Sequence, residues 1–301
     1  MEQYHIPVML DTSIEGLNIS PGGIYVDATY GGGGHSGAIL NKLGNGKLIA
    51  FDQDEDAAQN VLRDERFMFI RANFKYLKNF LRYYGIDQVD GILADLGVSS
   101  HDFDEARRGF SFRFDAPLDM RMNRESALTA ATIINEYGRD ELFRIFTSLG
   151  EIKNAGRLVS AIVTAREKSP LLTTGDLLNA IKTCIPKALE KKYLAQLFQS
   201  LRMETNDETG ALKAFLLSVY EVLKPGGRIV VLSYHSIEDR LVKNFLRSGN
   251  FEGKVEKDFY GNTEVPFELI NRKVVVPDDD EMQANPRSRS AKLRIAEKRR
   301  A

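Results

Sequence analysis

Ile24 to Gly37 reads IYVDATYGGGGHSG, an apolar and β-branched run that breaks into four consecutive glycines. Ile24, Tyr25, Val26 and Thr29 suit a half-buried pleated strand. Gly31, Gly32, Gly33 and Gly34 permit positive φ and let a ligand lie against the main chain. From His35 onward Ala38, Ile39 and Leu43 recur at helical spacing, so the loop opens onto a helix N-terminus whose free N–H groups attract polar or anionic ligand atoms. Strand, glycine turn and helix start together predict a cofactor loop. A plain turn would also explain the glycines, and the G-x-G-x-x-G match of Gly32, Gly34 and Gly37 is weak alone.

Asp52 strengthens the reading. It ends a second apolar run, Lys47 to Phe51 (KLIAF), about 20 residues after the glycines, where an acid can hold a ribose hydroxyl pair. Two nucleoside cofactors fit at this point, NAD and S-adenosylmethionine. Strand and helix patterns continue to alternate: a helix over Asp54 to Arg63, a strand at Phe67 to Ile70, a helix through Tyr76, Leu77, Phe80, Leu81 and Tyr84, and a strand at Val89 to Leu96. Repeated β-α-β units predict an α/β fold with a parallel, doubly wound sheet and ligands at the strands' carboxyl ends.

From about Phe103 to Asn206 the pattern is helical only, with apolar faces at Leu142/Phe143/Phe146/Leu149, Leu158/Val159/Ile162/Val163, Leu177/Leu178/Ile181 and Leu189/Tyr193/Leu197. The expected division is therefore a sheet domain from 1–102 and 207–301, with a helical domain, 103–206, inserted into it. After Asn206 a helix through Leu212 to Leu223, a sharp KPGG turn at Lys224 to Gly227 and a strand at Arg228 to Ser233 resume the alternation, followed by a helix through Leu241 to Leu246. Lys273 to Val276 and Ala291 to Ile295 are expected to close the sheet as a hairpin-like pair across the acidic loop Asp278 to Glu281.

Composition bounds the setting. Hydrophobic residues at 43% supply a core, no apolar run is long enough to cross a bilayer, and no secretory signal pattern opens the chain, so a cytoplasmic protein without membrane attachment is expected. The single cysteine, Cys184, lies between Ile181 and Ile185 and reads as a core thiol. Net charge is −1, which advertises no global field for nucleic acid. The tail from Asn285 to Ala301 is nevertheless locally basic, with Arg287, Arg289, Lys292, Arg294, Lys298, Arg299 and Arg300 against the one acid Glu297. Such a cluster either tracks phosphates or is a solvated end.

The helix followed by Leu223 to Arg228 (LKPGGR) and a strand resembles the approach to the fifth strand in class I S-adenosylmethionine-dependent methyltransferases, as does an acid, Asp27, inside the first strand. Seven strings in order narrow the resemblance: HIPVML (His5 to Leu10), GGGGHS (Gly31 to Ser36), DLGVSS (Asp95 to Ser100), RGFSF (Arg108 to Phe112), PLDMRM (Pro117 to Met122), SYHSIEDR (Ser233 to Arg240) and NPRSRSAKLRIAE (Asn285 to Glu297). They resemble the MraW family of bacterial small-subunit ribosomal RNA methyltransferases. The resemblance implies a Rossmann-like class I sheet and S-adenosylmethionine-dependent N4-methylation of a cytidine in the decoding region. It also implies a partner RNA met within the small ribosomal subunit and a helical insertion that helps recognise it. A monomer or homodimer is expected, and the alternative functions are an NAD-dependent oxidoreductase and a non-catalytic RNA-binding assembly factor.

Carried over residue by residue, the resemblance puts Asp27, Gly31, Gly32, Gly33, Gly34, His35, Asp52, Phe74, Asp95 and Asp102 at the cofactor. Asp102 stands where the family commonly has glutamine. Phe74 faces adenine or simply packs in the core with Leu77. No metal is expected, because the sulfonium methyl is already activated and the site has only to place the amine and accept a proton. Asp95, Ser99, Ser100 and His235 are the candidate catalytic groups, although His235-Ser-Ile-Glu238 also fits a helix capping box. Arg107, Arg108 and Arg113, interleaved with Phe110, Phe112 and Phe114, suit stacking on bases and holding phosphates, or else a packed linker. Arg287 and Arg289 are the tail's RNA candidates.

Overall fold

The apolar runs on either side of the glycine loop become neighbouring strands. The computed structural model describes residues 7–97, 106–255 and 265–300. Its first stretch contains α1 (Leu10–Leu17), β1 (Ile24–Asp27), α2 (Gly34–Lys42), β2 (Lys47–Asp52), β3 (Phe67–Arg71), α3 (Leu77–Tyr83) and β4 (Val89–Asp95). β1 pairs in parallel with β2 on one side and β4 on the other, and β3 adds beyond β2. Successive strands thus run outward from β1 and then reverse direction across it. That switch point, at the carboxyl ends of β1 and β4, is where doubly wound sheets take their ligands.

By contact the chain divides into two units, Met1–Gly97 with Thr209–Ala301, and Val98–Glu208. Among the described residues the second unit holds α4 (Ala130–Glu136), α5 (Arg139–Ser148), α6 (Ala155–Arg166), α7 (Thr174–Ile181) and α8 (Glu190–Thr205). Leu142, Ile145, Phe146, Leu158, Ile162, Leu177, Leu197 and Leu201 are fully buried, as helical periodicity requires, and Cys184 is a buried free thiol. Its irregular entry is fixed by amide side chains. Asn206 accepts from the Met122 N–H at 2.8 Å and donates to the Met120 carbonyl at 2.8 Å, while Asn135 makes a reciprocal pair with the Leu171 backbone.

The chain returns to the first unit through α9 (Glu208–Val222), β5 (Leu223–Ser233), α10 (Ser236–Ser248), β6 (Phe267–Leu269), α11 (Asp279–Ala284) and β7 (Lys292–Lys298). The sheet order is β3-β2-β1-β4-β5-β7-β6, with β7 antiparallel to both its neighbours and hence the one reversed strand. This is the expected Rossmann-like methyltransferase sheet. Side chains alternate across it with period two. Val26, Ile49, Phe51, Ile92, Ala94, Ile229 and Val231 pack under α3, α9 and α10, while Tyr25, Leu48, Leu93, Val230 and Leu232 pack under α1 and α2.

Four sequence expectations are corrected. Asp54 to Arg63 is not an α-helix and forms only a 3-10 turn at Ala57–Asn60. The acids there bond locally instead: the Asp54 N–H donates to Asp52 and the Asp56 N–H to Asp54, a side-chain alternative to the helical ladder. KPGG is not a separate turn between helix and strand. It is absorbed into β5 as an irregularity, with register slipping between the Val89–Leu223 and Gly91–Arg228 pairs. Lys273 to Val276 supplies only an isolated bridge, Val275 to Leu293, and the strand paired with β7 is β6. The acidic loop is the start of α11, where Asp278 caps the Glu281 N–H at 2.8 Å.

Phe215 is completely buried and meets Phe74 edge to face, with ring centroids 5.1 Å apart. Phe215→Ala is expected to destabilise the sheet domain by about 3–5 kcal/mol in urea unfolding. Leu217→Ala, on the same helix but 51% exposed, should stay within about 0.5 kcal/mol.

Candidate active site

The loop after β1 is held by the strands beside it. The Ala28 N–H donates to Leu93 and the Tyr30 N–H to Phe51, each at 2.8 Å, which draws the glycines over the ends of β2 and β4. Gly33 has φ +77°, and a Cβ there would lie 2.7 Å from the Tyr30 hydroxyl oxygen. At Gly34 a Cβ would come within 2.2 Å of Pro7 Cγ, so the N-terminal arm lies directly on the loop. The carbonyl of Val8 sits 3.2 Å from Nε2 of the buried His35. Pro7 and Val8 of the first string and Gly34 and His35 of the second are thus in contact.

Three carboxylates converge here. Asp27 is fully buried; the Ser36 hydroxyl donates to Oδ2 at 2.7 Å and the Thr29 N–H to Oδ1 at 3.1 Å. Asp52 accepts the Gly31 N–H at 2.8 Å and the Asp54 N–H at 2.9 Å, which ties the glycine loop to the end of β2. Asp95, at the end of β4, donates its N–H to the Thr29 hydroxyl at 2.7 Å and accepts the Tyr234 hydroxyl at 2.6 Å. His35 Nδ1 stands 3.9 Å from its other oxygen.

Burial raises the pKa of all three acids. Desolvation lifts Asp27 against the opposing effects of His35, Ser36 and the Thr29 N–H. It lifts Asp95 against His35 and the Tyr234 hydroxyl, with Asp27 and Glu238 adding repulsion. Asp52 is pushed up to about 6, again by burial first, against the Asp54 and Gly31 N–H groups. Among the described residues no lysine or arginine is named as acting on any of the three, and His35 is the one basic side chain that does. The crevice is therefore acidic and short of cations, built for a ligand that brings positive charge or hydrogen-bond donors and hostile to a pyrophosphate.

Beyond β2 and β3, Asn73 Nδ2 donates to Gln53 Oε1 at 2.8 Å, closing the two strand ends together. Phe74 follows, partly buried, one edge on Phe215. Sequence reading chose Phe74 but missed Gln53, Asn73, Thr29, Ser36 and Tyr234. Their one signal was position, each lying within two residues of a strand end or the glycine run. His235 is placed as the N-cap of α10: Nδ1 accepts the Glu238 N–H at 3.4 Å, Nε2 lies 3.0 Å from Glu238 Oε1, and Glu238 Oε2 accepts the Tyr234 N–H at 3.1 Å. The helix-start alternative is thus realised as an N-cap, with Glu238 returning to the Tyr234 N–H and not to that of His235 as a capping box would. Ser99, Ser100 and Asp102 lie outside the described residues.

The arginine candidates divide. Arg107 and Arg113 are exposed. Arg108, expected to face RNA, is instead 4% exposed, donating to the Arg121 and Met122 carbonyls at 2.8 and 3.1 Å with its guanidinium 5.4 Å from the Phe110 ring. Of the interleaved phenylalanines, Phe110 is buried and Phe112 packs on Phe198, while Phe114 remains 52% exposed. In the tail Arg287 and Arg289 are exposed on a 3-10 turn, whereas Lys292 and Arg294 bind Asp239 and Lys298 donates to the Tyr220 and Leu223 carbonyls.

Comparison with known proteins follows the same lines. The model of the MraW methylase family matches residues 2–299. A ribosomal RNA small subunit methyltransferase H from Parabacteroides distasonis is 60% identical over 297 residues, covering 98% of this chain and 97% of the relative. Proteins of the same name from Bacteroides thetaiotaomicron and Flavobacterium johnsoniae are 58% and 56% identical, each over 98% of both chains.

The elevated Asp52 predicts a pH signature. Its folded pKa of about 6 exceeds the ordinary 3.8, so the unfolded state is the stronger acid and ionisation favours unfolding. Relative to Asp52→Asn, the unfolding free energy of the unliganded wild type should fall as pH rises from about 4 to about 6 and level off above that. Paired urea titrations across this range would read it.

Proposed function

We propose that this chain, which belongs to the MraW methylase family, transfers a methyl group from S-adenosylmethionine to N4 of a cytidine in small-subunit ribosomal RNA. The observation that carries the reading is the convergence of Asp27, Asp52 and Asp95 on a glycine loop with, among the described residues, no lysine or arginine acting on them. That arrangement suits a sulfonium and an ammonium and disfavours the pyrophosphate of NAD, and membership in a methylase family removes the oxidoreductase alternative.

The residues present fit the cofactor. Asp27, braced by Ser36, and the start of α2 face its amino-acid end, the loop from Gly31 to Gly34 with His35 passes beneath it, Asp52 takes the ribose hydroxyls, and Phe74 with Gln53 and Asn73 borders the base. Bound there, S-adenosylmethionine supplies a methyl group already activated by its positive sulfur. The protein's task is then placement and proton removal. Cytosine N4 is a weak nucleophile because its lone pair is delocalised into the ring. Asp95 accepts the proton that N4 loses as its lone pair forms the new N–C bond and the S–C pair returns to sulfur. Ser99, Ser100 and Asp102 follow Asp95 in sequence and belong to the same candidate set.

The RNA reading rests on Arg107, Arg113 and Phe114 in the inserted unit and on Arg287 and Arg289 in the tail, all exposed. Arginine beside an exposed aromatic suits unpaired RNA, phosphate to the first and base to the second. A stacked cytidine turns out of its helix to reach a buried carboxylate. Arg108 serves this surface from within, by holding the segment's backbone.

Three outcomes are expected. Incubated with methyl-labelled S-adenosylmethionine and unmethylated small subunits, the protein should place label on N4 of cytidine after nuclease digestion; label on another nucleoside would remove the acceptor assignment. Asp52→Ala should weaken S-adenosylmethionine binding by about tenfold or more in calorimetry, with the fold intact by circular dichroism. Arg113→Glu with Phe114→Ala should raise KM for the subunit by about tenfold while leaving cofactor affinity unchanged.

A further inference from the structure

Tyr234 stands between β5 and α10, in a position with no part in the cofactor assignments. Its hydroxyl lies 2.6 Å from Asp95 Oδ1 and has no shorter route to a partner among the described residues. Its backbone N–H is fixed by Glu238 Oε2, so the ring is held from behind by the capped start of α10. The groups facing this pair come from every neighbouring element: His35 from α2 and Asp27 from β1 act on Asp95, Glu238 from α10 acts on both, and Glu281 from α11 acts on Tyr234. Burial and these acids hold the phenol protonated far above neutral pH, so toward Asp95 it can only donate.

A carboxylate has two oxygens, and only one is needed to take a proton from an amine. We propose that Tyr234 is a positioning residue that occupies Asp95 Oδ1 and thereby commits Oδ2 as the proton acceptor for the methylated amine. The inference rests on the reading of Asp95 as that acceptor. Oδ2 is the oxygen 3.9 Å from His35 Nδ1, too far for a hydrogen bond, and the Asp95 side chain is 23% exposed. The Asp95 N–H is anchored separately on Thr29, which fixes the main chain while Tyr234 fixes the rotation of the carboxylate. During transfer the N4 lone pair forms the bond to the methyl carbon, the S–C electrons return to sulfur as a neutral thioether, and the N4 proton passes to Oδ2. Oδ1 keeps the phenolic hydrogen bond throughout.

Donation from Tyr234 also favours the ionised carboxylate, which gives the role a sign. Turnover is read against pH with purified full-length enzyme, S-adenosylmethionine and unmethylated small subunits. Tyr234→Phe should lower kcat by about tenfold, move the acid limb of the kcat profile to higher pH by about one unit, and leave S-adenosylmethionine affinity within about twofold. Replacing Tyr234 by 3-fluorotyrosine keeps the shape and strengthens the donor, and should move the same limb to lower pH. A packing role moves neither limb, so unchanged limbs in both proteins overturn the proposal. If Tyr234→Phe fails to fold, the fluorinated protein alone decides. Asp95→Asn tests the underlying reading: near-normal turnover in it removes Asp95 as acceptor, whereas a loss of about a hundredfold or more with unshifted limbs at Tyr234 removes only the positioning role.

Discussion

Placing three carboxylates at one end of a sheet, with His35 their one basic neighbour among the described residues, is the constraint around which this structure is arranged. Each acid would be unstable there if its oxygens were left bare, so each is surrounded by donors drawn from elsewhere in the chain: Ser36 and the Thr29 N–H for Asp27, the Gly31 and Asp54 N–H groups for Asp52, and Tyr234 for Asp95. Those donors lie in the glycine loop, α2, the turn after β2 and the link between β5 and α10. The shape of the crevice is therefore the shape that satisfies its acids. A cationic cofactor completes the charge balance that the apoprotein leaves open.

Much of the fold was legible because its signals are local. The strand runs at Ile24, Lys47, Phe67, Val89 and Arg228 and the helices of the insertion appear where periodicity puts them, although Phe143 and Leu189, expected on apolar faces, are exposed. What periodicity missed has identifiable causes. Asp54 and Asp56 have the composition of a helix start, but their side chains were taken by neighbouring N–H groups. The three-residue β6 has no alternation to detect, and it is a strand only because β7 lies beside it.

The site was legible to a different depth. Asp27, the glycines, Asp52 and Asp95 stand out since each sits at a strand end in a β-α-β pattern. Charge, by contrast, was a poor guide to exposure. Arg108, Arg294 and Lys298 look alike in sequence to Arg113 and Arg289, yet carbonyls and Asp239 take the first three into the fold. Tyr234 carried no signal beyond its place at a strand end, because a tyrosine after a buried strand is ordinary until the carboxylate it touches is known.

The place of β7 bears on how the protein comes to exist at all. It lies between β5 and β6 and pairs with both, so a strand that follows all its sheet partners in sequence fills the interior of the sheet. Until β7 arrives, β5 presents an unpaired edge rich in Ile229, Val230, Val231 and Leu232, the kind of edge that recruits foreign strands. Lys292 and Arg294, which bind Asp239 on α10, give the late strand an electrostatic address on the helix already waiting for it.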